Sequence, residues 1–169
     1  MNEKEQQHIF ETWLDEHKNL LFKVVRAYAF TAMDRDDLFQ EITIQVWHSI
    51  PMFRQEAAVT TWLYRIAFNT ALKWVRKERK HAPAETVDNV QHILQERTTE
   101  IDERLAWLYE EIYQLDEIDR SITLLLLDNF SYKEMAAIVG ITESNIGVKI
   151  NRIKKQLISK SKKYDHHGV

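Results

Sequence analysis

Gly140, Gly147, Gly168, Pro51 and Pro83 are the only glycines and prolines in 169 residues. A fold of many short strands needs tight turns, and tight turns draw on glycine and proline for their backbone angles. With so few, an all-β sandwich or barrel is excluded and helices are left as the building material. Apolar residues do recur at helical spacing through nearly the whole chain. Ile9, Trp13, Leu14, Leu20, Leu21, Val24, Val25 and Tyr28 mark a first helical region, and Asp34 and Asp36 offer capping oxygens for a second. Leu38, Phe39, Ile42, Val46, Trp47 and Ile50 form one stripe on that second helix, which Pro51 ends because the residue before proline avoids the α region.

After a loop over 51–59, Thr60 or Thr61 can cap a third helix carrying Trp62, Leu63, Ile66, Ala67, Leu72 and Val75. It runs into Arg76, Lys77, Arg79 and Lys80 and stops near Pro83. Residues 82–100 hold few large apolar groups and many acids and amides, which reads as a linker with a turn of helix at Val90–Leu94. Four more helical patterns follow, over Ile101–Leu115, Arg120–Asp128, Ser131–Val139 and Glu143–Lys162, before a fraying tail. The expected fold is all-α, with two small helical domains over 8–80 and 104–162 joined by a flexible acidic linker over 81–103.

The net charge of −3 hides a pattern. Residues 1–80 carry +1, residues 81–128 carry −9 and residues 129–169 carry +5; within the first segment, residues 60–80 alone carry +5. Two basic patches separated by an acidic stretch fit an anionic polymer touched at two places, against the bland alternative of two solvated helix faces. The absence of cysteine excludes disulfides, thiol catalysis and zinc fingers and permits a reducing cytoplasm, the expected location. The polar, acidic start is not a signal peptide, and no apolar run is long enough to span a membrane, so no membrane insertion is expected.

An enzymatic reading finds little. A di-metal helical bundle needs two Glu-x-x-His pairs on inward helix faces. Glu5…His8 and Glu78…His81 have the spacing, but one sits at the chain start and the other in a basic run. No glycine-rich phosphate loop is present. The expectation is a protein without catalytic residues, metal or cofactor.

The sharpest local signal is FSYKEMAAIVGITESNIGVKINRIKKQL, residues 130–157. Ser131-x-x-Glu134 has capping-box spacing, Ala136 and Ala137 allow a second helix to cross closely, and Gly140 stands where the first helix must turn left-handed. Thr142 caps the next helix, which packs through Ile146, Ile150, Ile153 and Leu157. Its other face carries Ser144, Gly147, Val148, Asn151 and Lys155, flanked by Lys149, Arg152 and Lys154. Short helix, glycine turn and basic second helix are the arithmetic of a helix-turn-helix. The cations would meet phosphates, and Ser144, Val148 and Asn151 could reach base edges. Gly147 in mid-helix has two readings, close approach to DNA or close packing on another helix.

A second signal lies in residues 53–80, where Phe53, Trp62, Tyr64, Phe68 and Trp74 interleave with Arg54, Arg65, Lys73 and Arg76. Rings on which bases stack, with cations for the backbone, suit single-stranded nucleic acid; the alternative is that the rings are core.

Together these residues carry a family resemblance. Asp36-Asp37-Leu38-Phe39-Gln40-Glu41-Ile42…Val46-Trp47 resembles the core-binding part of region 2 of bacterial RNA polymerase sigma factors. Phe53-Arg54…Thr61-Trp62-Leu63-Tyr64-Arg65-Ile66-Ala67-Phe68-Asn69-Thr70 resembles the promoter-melting and −10-reading segment, and the motif at 130–157 resembles region 4, which reads the −35 element. Two lobes alone, over roughly residues 10–160, resemble the extracytoplasmic-function (ECF) subgroup. The resemblance implies that Asp37, Gln40, Glu41 and Ile44 grip core polymerase, whose clamp coiled coil and flap are the contact points. It implies −10 contacts from Phe53, Arg54, Arg65, Asn69, Lys73, Arg76 and Lys77, with a flipped base received by the loop from Phe53 to Val59. It implies −35 contacts from Ser144, Gly147, Val148, Lys149, Asn151, Arg152 and Lys155. The implied partners are core polymerase, promoter DNA as duplex and as melted strand, and the anti-sigma factor common in this family.

This chain departs from the family twice. Gly147 and Val148 stand where basic and hydroxyl residues are frequent, and Gln55 stands where a glycine often follows the Phe-Arg pair. The competing reading is a helix-turn-helix regulator that is not a sigma subunit. It would need a dimer face and a ligand or phosphoacceptor site, and no parallel-sheet pattern surrounds Asp36 and Asp37 to make one.

Overall fold

The computed structural model describes residues 1–81 and 103–167. The expected linker and its turn of helix at Val90–Leu94 lie outside the described residues. No strand occurs among the described residues, and the helices are α1 (Glu3–Tyr28), α2 (Ala32–Ser49), α3 (Val59–His81), α4 (Glu103–Gln114), α5 (Glu117–Leu127), α6 (Tyr132–Val139) and α7 (Glu143–His167). They fall into two compact units, divided between Glu110 and Glu111.

In the first unit α1, α2 and α3 pack on one another. Leu21, Val24 and Tyr28 of α1, Leu38, Ile42 and Val46 of α2, and Leu63, Tyr64, Ala67 and Ala71 of α3 are buried in its core. Two helix starts differ from the sequence expectation. Thr31, not Asp34 or Asp36, caps α2, its hydroxyl accepting from the Asp34 N–H at 3.1 Å. α3 begins at Val59, ahead of both threonines, with the Ala58 carbonyl accepting from the Trp62 N–H. A capping box between Asn2 and Glu5 starts α1. α2 ends in a 3-10 turn over Ile50–Met52 with Pro51 inside it, where the missing N–H is harmless. At the α1–α2 junction Arg35 Nε donates to the Ala29 carbonyl at 3.1 Å. Burial, with Arg26 nearby, holds that guanidinium below the usual arginine range.

In the second unit α5, α6 and α7 pack together, with Ile122, Leu124, Leu125, Met135, Ile146, Ile150 and Ile153 buried. The turn before α6 passes through Asn129 at φ 60°, a left-handed angle that asparagine tolerates better than most residues.

Candidate polymerase and promoter interfaces

On α2, every third or fourth residue that is not core points outward. Asp37, Gln40, Glu41 and Ile44 are exposed and share one face. Ile44 is 50% exposed, and Met33, one turn before Asp37 on the same face, is 80% exposed. Met33 escaped the sequence reading, although its spacing of four from Asp37 was available. Apolar side chains set among acids make a stripe suited to a protein partner rather than to phosphate. Asp37 also ties α2 to α3: its Oδ2 accepts from Trp74 Nε1 at 2.9 Å.

The outward face of α3 is opposite in charge. Arg65, Asn69, Lys73, Arg76 and Lys77 are all exposed and recur at helical spacing. Between α2 and α3 lies an open cleft of about 410 Å³. Glu41 and His48 line it from α2; Trp62, Asn69, Lys73 and Lys77 line it from α3. The aromatic residues sort into two groups. Tyr64, Phe68 and Trp74 are buried, with Tyr64 stacked on Phe68 at 5.2 Å, so they are core and not base platforms. Trp62 is half-buried at the cleft, its Nε1 donating to Ser49 Oγ at 3.2 Å.

Phe53 is wedged between two rings. It meets Trp13 of α1 edge-on, centroids 5.1 Å apart, and Trp62 at 5.5 Å. This three-ring cluster pins the start of the loop, while Arg54 next to it is exposed. Gln55 follows at φ 59°. For a residue with a Cβ that conformation costs about 1–2 kcal/mol. Beside the loop is a recess of about 470 Å³, lined by Ile9 and Trp13 of α1, by Ile50, and by Phe53, Gln55 and Val59 among others.

The second unit has the expected helix-turn-helix in detail. Ser131 Oγ accepts from the Glu134 N–H at 3.2 Å, and Glu134 Oε2 accepts from the Ser131 N–H at 2.7 Å. Those bonds hold the exposed Glu134 carboxyl below its usual value. Gly140 ends α6 at φ 81° and Thr142 caps α7. Ser144, Val148, Asn151, Arg152 and Lys155 are exposed on α7, with Val148 at 64%. Lys149 stands apart from them. Half-buried, it bonds Asp119 Oδ1 of α5 at 2.8 Å, so its ammonium braces α7 against α5. At Gly147 an added Cβ would meet Tyr132 Cε2 at 3.5 Å, an ordinary contact. Packing therefore has room for alanine there and does not require glycine. Among the described residues no group of histidine, aspartate and glutamate could hold a metal, and no helix is long and apolar enough to cross a membrane.

Known proteins share this arrangement. The family model for sigma-70 region 2 matches residues 12–81, and that for sigma-70 region 4 matches residues 105–157. The ECF RNA polymerase sigma-E factor of Haemophilus influenzae is 31% identical over 142 residues, covering 75% of this chain and 74% of that protein. The ECF RNA polymerase sigma-E factor of Escherichia coli K12 is 29% identical over 140 residues, covering 75% and 73%. Among solved structures, the sigma factor RpoE of Bartonella quintana, in complex with the anti-sigma factor NepR, shares the fold with a TM-score of 0.72 at 21% identity, over 90% of this chain and 96% of that one. The region 2 match covers the α2 stripe, the loop and the α3 face, and the region 4 match covers the helix-turn-helix. The chain belongs to the sigma-70 family, in its extracytoplasmic-function group.

Proposed function

We propose that this chain serves RNA polymerase as a dissociable initiation subunit whose outward helix faces each have a separate task. The α2 stripe of Asp37, Gln40, Glu41 and Ile44, extended by Met33, grips core polymerase. The α3 face of Arg65, Asn69, Lys73, Arg76 and Lys77, with Arg54 and the loop pinned by Phe53, engages the −10 element and its melted strand. Extruding a base costs a few kcal/mol, which cations and an apolar recess can offset. Ser144, Val148, Asn151, Arg152 and Lys155 of α7 meet the −35 duplex. Gly147 leaves the α7 backbone open to close approach, and Lys149 sets the angle of that helix. The chemistry of RNA synthesis stays with the polymerase. An anti-sigma factor belongs among the partners, on the strength of the complex in which the Bartonella relative is found.

The observation that carries this reading is the pairing of opposite charges on neighbouring helices of one unit, acid with exposed apolar groups on α2 and cations on α3. One face suits a protein and the other suits phosphate. Run-off transcription with purified core polymerase, on a template bearing the chain's own upstream promoter region, tests it. Specific initiation is expected only when core and chain are both present. Absence of initiation together with failure to co-elute with core would overturn it.

A further inference from the structure

Lys160 lies beyond residue 157, where the region 4 match ends, on the part of α7 that continues past the helix-turn-helix. Its ammonium reaches across to α4, pairing with Glu111 Oε2 at 2.5 Å and donating to Gln114 Oε1 at 3.0 Å. All three residues belong to the second unit. The pair is shielded from water: the Glu111 side chain is 13% exposed and that of Lys160 32%. Opening a shielded pair leaves each charge uncompensated, so such a pair resists opening. Glu111 is also an acid in the last turn of α4, where the helix dipole favours a cation and α4 has none of its own. Lys160 supplies the cation that this helix end lacks.

Packing alone holds α4 less firmly than its neighbours. α5, α6 and α7 pack on one another, whereas Ile112 is the one fully buried residue of α4. A helix seated on one buried side chain has a pivot, and the bonds to Lys160 are the lock. The position of that lock matters because the chain between the two matched regions enters the second at α4. The direction in which the connection leaves the helix-turn-helix is therefore set by the angle of α4 on α7. Two readers on one chain engage two DNA elements with an effective concentration governed by the length and stiffness of what joins them. Each base pair added between the elements moves one of them about 3.4 Å along the duplex and about 35° around it. A pivoting α4 would absorb that change, and a clasped α4 opposes it.

We propose that Lys160 is a positioning residue: through Glu111 and Gln114 it fixes α4 against the −35 reading helix and makes the chain selective for one spacing between the −10 and −35 elements. This inference rests on the sigma reading and deepens it.

The test is run-off transcription by core polymerase with the full chain on templates that differ only in the number of base pairs between the two elements. Wild type should initiate best at one spacing and lose about tenfold when a single base pair is added or removed. Lys160→Met keeps the length of the side chain without its charge. It should flatten that loss to about threefold, while initiation at the best spacing falls by no more than about threefold. Gln114→Ala, at an exposed position, removes one of the two bonds and should flatten the profile by less. The exchange Glu111→Lys with Lys160→Glu should restore selectivity toward wild type, because the pair is re-formed with its charges reversed. Thermal unfolding checks that each chain folds, and Gln114→Ala carries the test should Lys160→Met fail to. Profiles of the variants that have the same shape as wild type, whether at equal or at uniformly lowered initiation, would overturn the assignment and leave the sigma reading standing. No promoter-dependent initiation by wild type would overturn both.

Discussion

The two basic helices, α3 and α7, carry similar cations on different supports. α3 lines an open cleft, shares it with a half-buried tryptophan, and faces an acidic helix across it. α7 presents a convex face whose centre is Gly147 and Val148, flanked by cations, with one lysine drawn inward to Asp119. A concave surface with a ring suits bases that have left the stack, whereas a narrow convex helix with a neutral centre suits the major groove of an intact duplex. On the proposed reading, like charge with unlike shape divides the promoter between a part to be opened and a part to be read closed.

Glu41→Lys should give the largest effect. It reverses a charge at the middle of the α2 stripe and should weaken core binding by tenfold or more, measured by co-elution, while the isolated chain unfolds as before. Core binding left intact would break the division of tasks within the first unit. Next, Asp119→Asn should release α7 from α5 at a cost of about 1–2 kcal/mol, between the limits for surface and buried pairs. Its stability loss should fall in the second unit, and −35-dependent initiation should drop with it while −10 preferences hold. A double variant with Lys149→Met would sharpen this, because removing both charges should recover part of the loss.

Smaller still, Gly147→Ala should stabilise α7 by up to about 1 kcal/mol in thermal unfolding, since helix propensity gains and Tyr132 leaves room for the methyl group. The same variant should weaken −35 binding if DNA approaches the backbone there, so stability and function should move in opposite directions. The smallest effect is pH dependence at Glu134. Its carboxyl is held below the usual value of 4.5 by the backbone and hydroxyl of Ser131. The capping box therefore contributes fully above that usual value and is lost as pH falls through the lower folded one. Glu134→Gln should flatten the acid limb of a pH–stability curve, lying slightly below wild type at neutral pH and meeting it at low pH.

The helix-turn-helix was legible in sequence because its signals are local. Ser131 and Glu134 are three apart, Gly140 must turn left-handed, and Thr142 caps directly after. Helix starts elsewhere were less so. Thr31 and Asp34 both have capping oxygens, and only the packed structure chooses Thr31. At α3 the residue before the helix is Ala58, whose carbonyl accepts the first helical bond and whose side chain announces nothing. The aromatic residues of α3 were ambiguous since rings lie on more than one of its faces; burial against α1 and α2 assigns Tyr64 and Phe68 to the core and leaves Trp62 at the cleft. Contacts between distant positions, Lys149 with Asp119, Trp74 with Asp37 and Trp13 with Phe53, leave no mark in a periodic pattern. They are also what positions the two candidate interfaces, so the faces could be read from sequence but not the braces behind them.

The most direct test of the division between opening and reading is initiation by Lys73→Ala and Asn151→Ala chains on two templates, one a natural duplex and one already unpaired across the −10 element. Each variant should initiate poorly on the duplex. On the pre-opened template Lys73→Ala should recover most of its activity, while Asn151→Ala should remain impaired. Equal recovery of both, or of neither, would contradict the assignment of α3 to the melted strand and α7 to the closed duplex.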